Sequence, residues 1–454
     1  MPGAACQLDS AAFDSYTCRE AGVHSLRGQL QRGPRPTQPL PVYRHASAPQ
    51  HQRDGLVKLV TLLVALCGVF LVACGGGSAS MSTPAPSVSK GEGITPSPSV
   101  SPTPMHLDVR TIELPSDDQG VWIPMDLLKG TSSFVTEYAP NSNGPEAHQV
   151  QLRLAIFDPA TGALNEFRVV ADGDTGGGFS NDGRYLVWEE RSRTDISGVG
   201  WKLYAMDTTN NHIWQVAEDP GVRLTGFGTT MYDPPLVVDN GRLVYFMLST
   251  DDQGDPMWEI HLYDLNDRTD SIISEQGDAN HQVFLDPSLS GDDLVWVRTL
   301  VTENEGGEPQ FSNPQRSLVL MNLSSGEMKV LVQDHVTRWP VIQGDSVLYA
   351  SDLPPSMHLL DLKKGADQTL TSTTSWPQAR GVAGRFAVWQ NMSGTQAIVC
   401  DTTTGAITVL SDPQQAVYYV YVADQRVYWP WSARTGPGTS DMTHVFLSSV
   451  DLPP

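Results

Sequence analysis

Gly183-Arg-Tyr-Leu-Val-Trp188 is a turn residue, two mixed positions and a short apolar run closed by an aromatic, and it recurs along the chain. The copies read Gly241-Arg-Leu-Val-Tyr-Phe246, Gly291-Asp-Asp-Leu-Val-Trp296, Gly344-Asp-Ser-Val-Leu-Tyr349, Gly384-Arg-Phe-Ala-Val-Trp389 and, degenerate, Asp424-Gln-Arg-Val-Tyr-Trp429. A looser first copy begins at Gly130 and runs through Ser133-Phe134-Val135. Successive anchors stand 53, 58, 50, 53, 40 and 40 residues apart. A multi-strand unit repeated at that period is the mark of a β-propeller, in which each blade buries its faces only against its neighbours.

Each copy has a second half. Leu152–Gly162, Trp201–Asp207, Ile260–Leu265, Leu318–Gly326, Met357–Gly365 and Ala397–Gly405 are apolar strands running into Asp or Asn turns, four of which place a Gly four residues on. Asp and Asn cap turns with their own side chains, and Gly accepts positive φ. Each unit therefore reads as strand, strand, strand, turn, strand. The seventh copy supplies only three strands before Pro454, and the alternating stretch Leu107–Leu114 precedes the first blade. An unpaired edge is a liability, so Leu107–Leu114 is expected to complete the seventh blade and close the ring. The expectation is an all-β, seven-bladed β-propeller of four-stranded antiparallel blades over residues 106–454, with six blades and a cap as the alternative.

The repeats resemble a known family. Phe179-Ser-Asn-Asp-Gly-Arg-Tyr-Leu-Val-Trp188 is similar to the blade motif of TolB-type propellers, and Pro287-Ser-Leu-Ser-Gly-Asp-Asp-Leu-Val-Trp296 and Trp339-Pro-Val-Ile-Gln-Gly-Asp-Ser-Val-Leu-Tyr349 are similar to its variants. The resemblance spans about residues 107 to 454. It implies an envelope protein that binds other macromolecules and performs no reaction.

The other strong signal is Lys58 followed by an apolar run from Leu59 to Ala73, ending Leu71-Val-Ala-Cys74-Gly. Its 15 residues are short for a spanning helix. The end resembles a bacterial lipobox, which implies cleavage before Cys74 and lipidation of its thiol; a single-pass anchor is the alternative, and both put the propeller outside the cytoplasm. Residues 1–55 fit no ordinary signal peptide, and no Met occurs between residues 2 and 80. They are read as an unstructured leader, with translation expected to start near residue 56. Residues 56–73 are then the signal segment. Residues 74–105, rich in Gly, Ser and Pro, form a stalk that at about 3 Å per residue spans up to about 90 Å.

The chain carries 29 Lys and Arg against 51 Asp and Glu, a net charge of −22. That field repels phosphates, so nucleic acid is excluded as a partner. Of the five cysteines, only Cys74 and Cys400 follow the signal segment, so no intramolecular disulfide is available once Cys74 is lipidated. No nucleophile elbow, metalloprotease motif, phosphate loop or paired Cys motif occurs. Asp251-Asp252-Gln-Gly-Asp255 and Asp172-Gly-Asp174 lack the spaced oxygens of a calcium loop and read as solvated turns. No cofactor and no metal is expected.

One constellation points to binding. Trp122-Ile-Pro124, Tyr232-Asp233-Pro234, Asp286-Pro287, Arg338-Trp339-Pro340 and Trp376-Pro377 precede the inner strands of several blades, with Tyr418-Tyr419 at the corresponding place in the last. Such positions repeat around one mouth of a propeller channel. Aromatic rings with Asp and Arg among them could grip a peptide or a saccharide; the competing expectation is that each aromatic packs between blades. The sequence thus reads as a lipid-anchored, monomeric binding or scaffolding module that engages an envelope protein, a peptide or a saccharide. The alternative is a propeller-type lyase or glycoside-active enzyme with its site in the same mouth.

Overall fold

A computed structural model describes residues 105, 107–140, 152–170, 173–174, 178–192, 200–222, 234–276, 282–303, 309–372, 377–391, 396–436 and 439–454. The leader, the signal segment, Cys74 and the stalk up to residue 104 lie outside these, as do Tyr232, Asp233 and Trp376. Among the described residues every regular element is a β-strand.

The strands form seven antiparallel blades, each an up-and-down meander of four. Blade 4 shows the pattern: inner strand Gln282–Ser290, then Asp293–Glu303, Pro309–Asn322 and outer strand Met328–Val332. In blades 2 and 7 the inner strand is split, into Gly173–Asp174 with Phe179–Asn181 and into Gln415–Val417 with Tyr421–Ala423. The inner strands neighbour one another in a closed circuit, blade 1 to blade 7 and back to blade 1.

Closure follows the sequence expectation. Arg110–Glu113 pairs antiparallel with Thr439–Asp451, Arg110 opposite Ser449 and Glu113 opposite Phe446, so the first strand of the ring supplies the outer strand of blade 7. The six-blade alternative is excluded.

Seven hydrophobic clusters fill the seven junctions between blades. The repeated aromatics sit in them: Trp188, Trp296, Trp389 and Trp429 are each at most 1% exposed and face the preceding blade. At about 25 cal/mol per Å² each such ring contributes about 4 kcal/mol of burial. In blade 3 the pattern is displaced by one residue. Tyr245 faces blade 2, whereas Phe246 faces blade 4. The cause is its turn, where Asn240 (φ 52°) and Gly241 (φ 74°) are both left-handed, so that Gly is the second turn residue rather than the first.

The motif residues latch neighbouring blades together. Ser180 Oγ accepts the Val238 N–H at 2.8 Å, and Ser288 Oγ, at the same place in blade 4, accepts the Ile342 N–H at 3.1 Å. Asp182 accepts the N–H groups of Arg184 and Tyr185 in its own turn and that of Gly241 in the next blade at 2.6 Å. Gly183 has φ 95°, and a Cβ there would run into the Lys129 carbonyl of blade 1. The Ser-x-Asp-Gly sequence is therefore an inter-blade joint, conformational and hydrogen-bonding at once.

Candidate functional site

Halfway along, the inner strands are interrupted. In blade 4 the ladder pairs Leu285 with Val297 and resumes at Ser288 with Val295, leaving out Asp286 and Pro287. In blade 5 it pairs Val336 with Ser351 and resumes at Val341 with Leu348, leaving out Thr337 to Pro340. Blade 6 omits Arg380, and blade 7 omits Tyr418 to Val420. Pro cannot donate to a ladder and so falls at such breaks, and bulges re-aim side chains. Because the four inner strands adjoin in order, these bulges lie side by side along one arc of the ring.

At the boundary of blades 4 and 5 the arc holds Asp286, Arg338 and Trp339. Arg338 grips Asp286 through Nε to Oδ2 at 2.9 Å and Nη2 to Oδ1 at 3.0 Å. The Trp339 N–H donates to the same carboxylate at 3.3 Å, and the guanidinium lies 4.8 Å from the Trp339 ring centre. Asp286 (φ 52°) and Trp339 (φ 64°) are both left-handed, a strained conformation for residues with side chains. Trp339 is half-buried, so its ring is neither core nor fully free.

A second cluster sits at the boundary of blades 6 and 7. Arg380 Nη2 donates to the Gln390 side-chain oxygen at 3.0 Å and to that of Gln378. Gln390 Nε2 reaches the carbonyls of Val417 at 3.3 Å and Tyr418 at 3.1 Å. The Arg380 guanidinium lies 5.7 Å from the Tyr419 ring.

Two of the expected mouth residues do not join either cluster with their side chains. Trp122 lies within the inner strand, is 4% exposed, and packs edge-on against Tyr138 at 5.3 Å with Arg153 over both rings. Its cluster partners Tyr138, Ala155 and Leu164 all belong to blade 1, so Trp122 packs within its own blade. The Tyr418 hydroxyl turns to Ser432 Oγ at 2.6 Å, and its ring packs at the junction of blades 7 and 1. Arg380 and Gln390 were not singled out from the sequence because no Pro stands beside them, and Gln378 was passed over although Pro377 precedes it. The signal was a fixed offset: Arg380 precedes Gly384 by four residues, as Pro287 precedes Gly291 and Pro340 precedes Gly344.

Two histidines are engaged within their own blades, away from the arc. His261, 5% exposed, sits between Asp270 Oδ2 at 2.8 Å and Glu259 Oε2 at 3.0 Å, stacked on Tyr245. Blade 5 repeats the arrangement with His358, Asp367 and Tyr349. Burial pushes the Cys400 thiol up to about 11, which keeps it protonated and unreactive at neutral pH. Among the described residues no three His, Cys, Asp or Glu side chains are grouped to hold a metal ion.

No family model and no curated protein matches the chain. Among solved structures it is similar to the acylaminoacyl peptidase of Pyrococcus horikoshii, at 11% identity and TM-score 0.46 over 72% of this chain and 50% of that one. It is also similar to the β-propeller domain of the trilobed protease from Pyrococcus furiosus, at 11% identity and TM-score 0.48 over 70% and 92%. A third likeness is to an oligogalacturonate lyase in complex with manganese, at 15% identity and TM-score 0.46 over 78% and 98%. The chain spans about half the length of the acylaminoacyl peptidase. The blade count stands on the strand order of this chain itself, and no chemistry passes from these proteins to it.

Proposed function

We propose that this propeller is a binding module of the TolB type, held outside a bacterial cytoplasm by a lipid on Cys74, and that it grips an envelope protein or peptide at the bulges of blades 4 to 7. The observation that carries the reading is the Asp286, Arg338 and Trp339 cluster. Two left-handed residues and a charged pair are concentrated where the hydrophobic core does not need them, and strain of that kind marks sites rather than scaffolds. A half-buried indole beside a guanidinium offers a partner both a π face and hydrogen-bonding edges. Rings of this kind recur at the energetic centres of interfaces. The acidic surface favours basic or neutral partners over nucleic acid.

The anchor is tested separately from the grip. With Cys74→Ala, metabolic labelling by a palmitate analogue is expected to disappear and the protein to leave the membrane fraction. Continued labelling of Cys74→Ala would contradict a lipid anchor at that residue.

A further inference from the structure

Blade 4 turns three polar hydrogens toward blade 3 that nothing among the described residues accepts. Trp296 lies in the cluster between these blades, and Arg298, two residues on in the same regular stretch of strand, shares its face. Ser317 stands directly opposite Arg298 on the neighbouring strand. Trp296 is 1% exposed and Ser317 0% exposed. Trp296 Nε1, Arg298 Nε and Ser317 Oγ are all buried without a hydrogen-bond partner. Three such orphans on one face run against the rule that buried polar groups are paired.

The hydrophobic cluster opposite supplies no acceptor. Blade 3 presents Phe246, Leu248, Trp258 and Ile260 to this junction. The Trp258 indole is itself a donor and already binds the Gln282 carbonyl at 2.8 Å. Phe284, opposite Arg298 in register, stacks on Trp258 with ring centres 5.6 Å apart. An indole N–H, a guanidinium N–H and a hydroxyl therefore stand on one face of blade 4 against aromatic and aliphatic carbon. Arg298 is only half-buried, which leaves a way in along its side chain.

The geometry points to an anion-binding niche between blades 3 and 4, in which Trp296, Arg298 and Ser317 bind a carboxylate. One acceptor group with several lone pairs satisfies all three donors, and its negative charge balances the guanidinium in a setting where an unpaired charge is costly. The carboxylate comes from a free small acid or from an acidic side chain of a bound peptide. This niche is separate from the cluster at Asp286 and Arg338 and does not depend on the function proposed for it.

Calorimetric titration of the purified full chain with sodium acetate, and with N-acetyl-glutamate amide, against sodium chloride at equal ionic strength tests the assignment. Saturable binding of one equivalent of acetate assigns a free acid, and binding of the glutamate probe alone assigns a peptide side chain. Either should weaken at least tenfold in Arg298→Met and about threefold in Ser317→Ala. If Arg298→Met fails to fold, Trp296→Phe is expected to weaken binding about threefold in its place. Absence of saturable binding of both probes, or binding unchanged in the variants, would overturn the niche.

Discussion

Arg338 of blade 5 holds Asp286 of blade 4 in a two-point contact, Nε to Oδ2 at 2.9 Å and Nη2 to Oδ1 at 3.0 Å, across the innermost layer of the ring. The pair joins residues 52 positions apart and fixes the backbone beside Trp339. The Asp286 side chain is 11% exposed and that of Arg338 21%, so both charges are largely withdrawn from water.

Removing Arg338 takes away the charge that balances the largely buried Asp286 carboxylate. Arg338→Ala is expected to cost about 2 kcal/mol of stability, and Arg338→Lys most of that, because a point charge cannot reproduce the planar fork. The double variant Arg338→Ala, Asp286→Ala should recover part of the loss. Denaturant unfolding measures these three and Asp286→Ala; a double variant with the full sum of the two single alanine losses would show that the two residues do not act as a pair.

The inter-blade latches make a second expectation. Ser180→Ala and Ser288→Ala each leave a backbone N–H of the next blade without its acceptor, at a cost of about 1 kcal/mol apiece. The sites lie at different junctions, so the losses should add. An unchanged unfolding midpoint in either variant would mean that solvent replaces the hydroxyl.

His261 gives the fold a pH dependence whose sign is determined. Burial pulls its pKa down, but the hydrogen bonds and charges of Asp270 and Glu259 outweigh that, and the net shift is upward. A group bound more tightly to its proton in the folded state stabilises fully below its unfolded pKa, near 6.5, and loses that contribution as pH rises through the folded value. The stability difference between wild type and His261→Gln should therefore be larger at pH 6 than at pH 9. An equal difference at the two values, measured by thermal unfolding, would show that the imidazole is not held as the cation.

Much of this was legible beforehand because repetition averages out local ambiguity. Gly183, Gly291, Gly344 and Gly384 all take positive φ at the same turn, so the glycine and the apolar run behind it marked one strand in six copies, with Asp424 (φ 51°) in the glycine's place in the seventh. The closing strand was legible because Leu107–Leu114 alternates and the last copy lacked a partner. What escaped is the level of single residues. Blade 3 slipped by one because Asn240, like Gly, tolerates the left-handed turn, and Trp122 was read as a mouth residue because its neighbour Pro124 looked like Pro287 and Pro340. Proline marks where a ladder can break; it does not say which way the adjacent aromatic turns.

The most direct measurement is crosslinking in cells of wild type and Trp339→Ala at equal expression, followed by purification of the propeller from envelopes and identification of what is attached. The account predicts a discrete protein or peptide partner in wild type, reduced at least fivefold in Trp339→Ala, with unfolding midpoints that remain close. The same partner captured equally by both proteins, or none captured by wild type, would contradict a binding face at Asp286, Arg338 and Trp339.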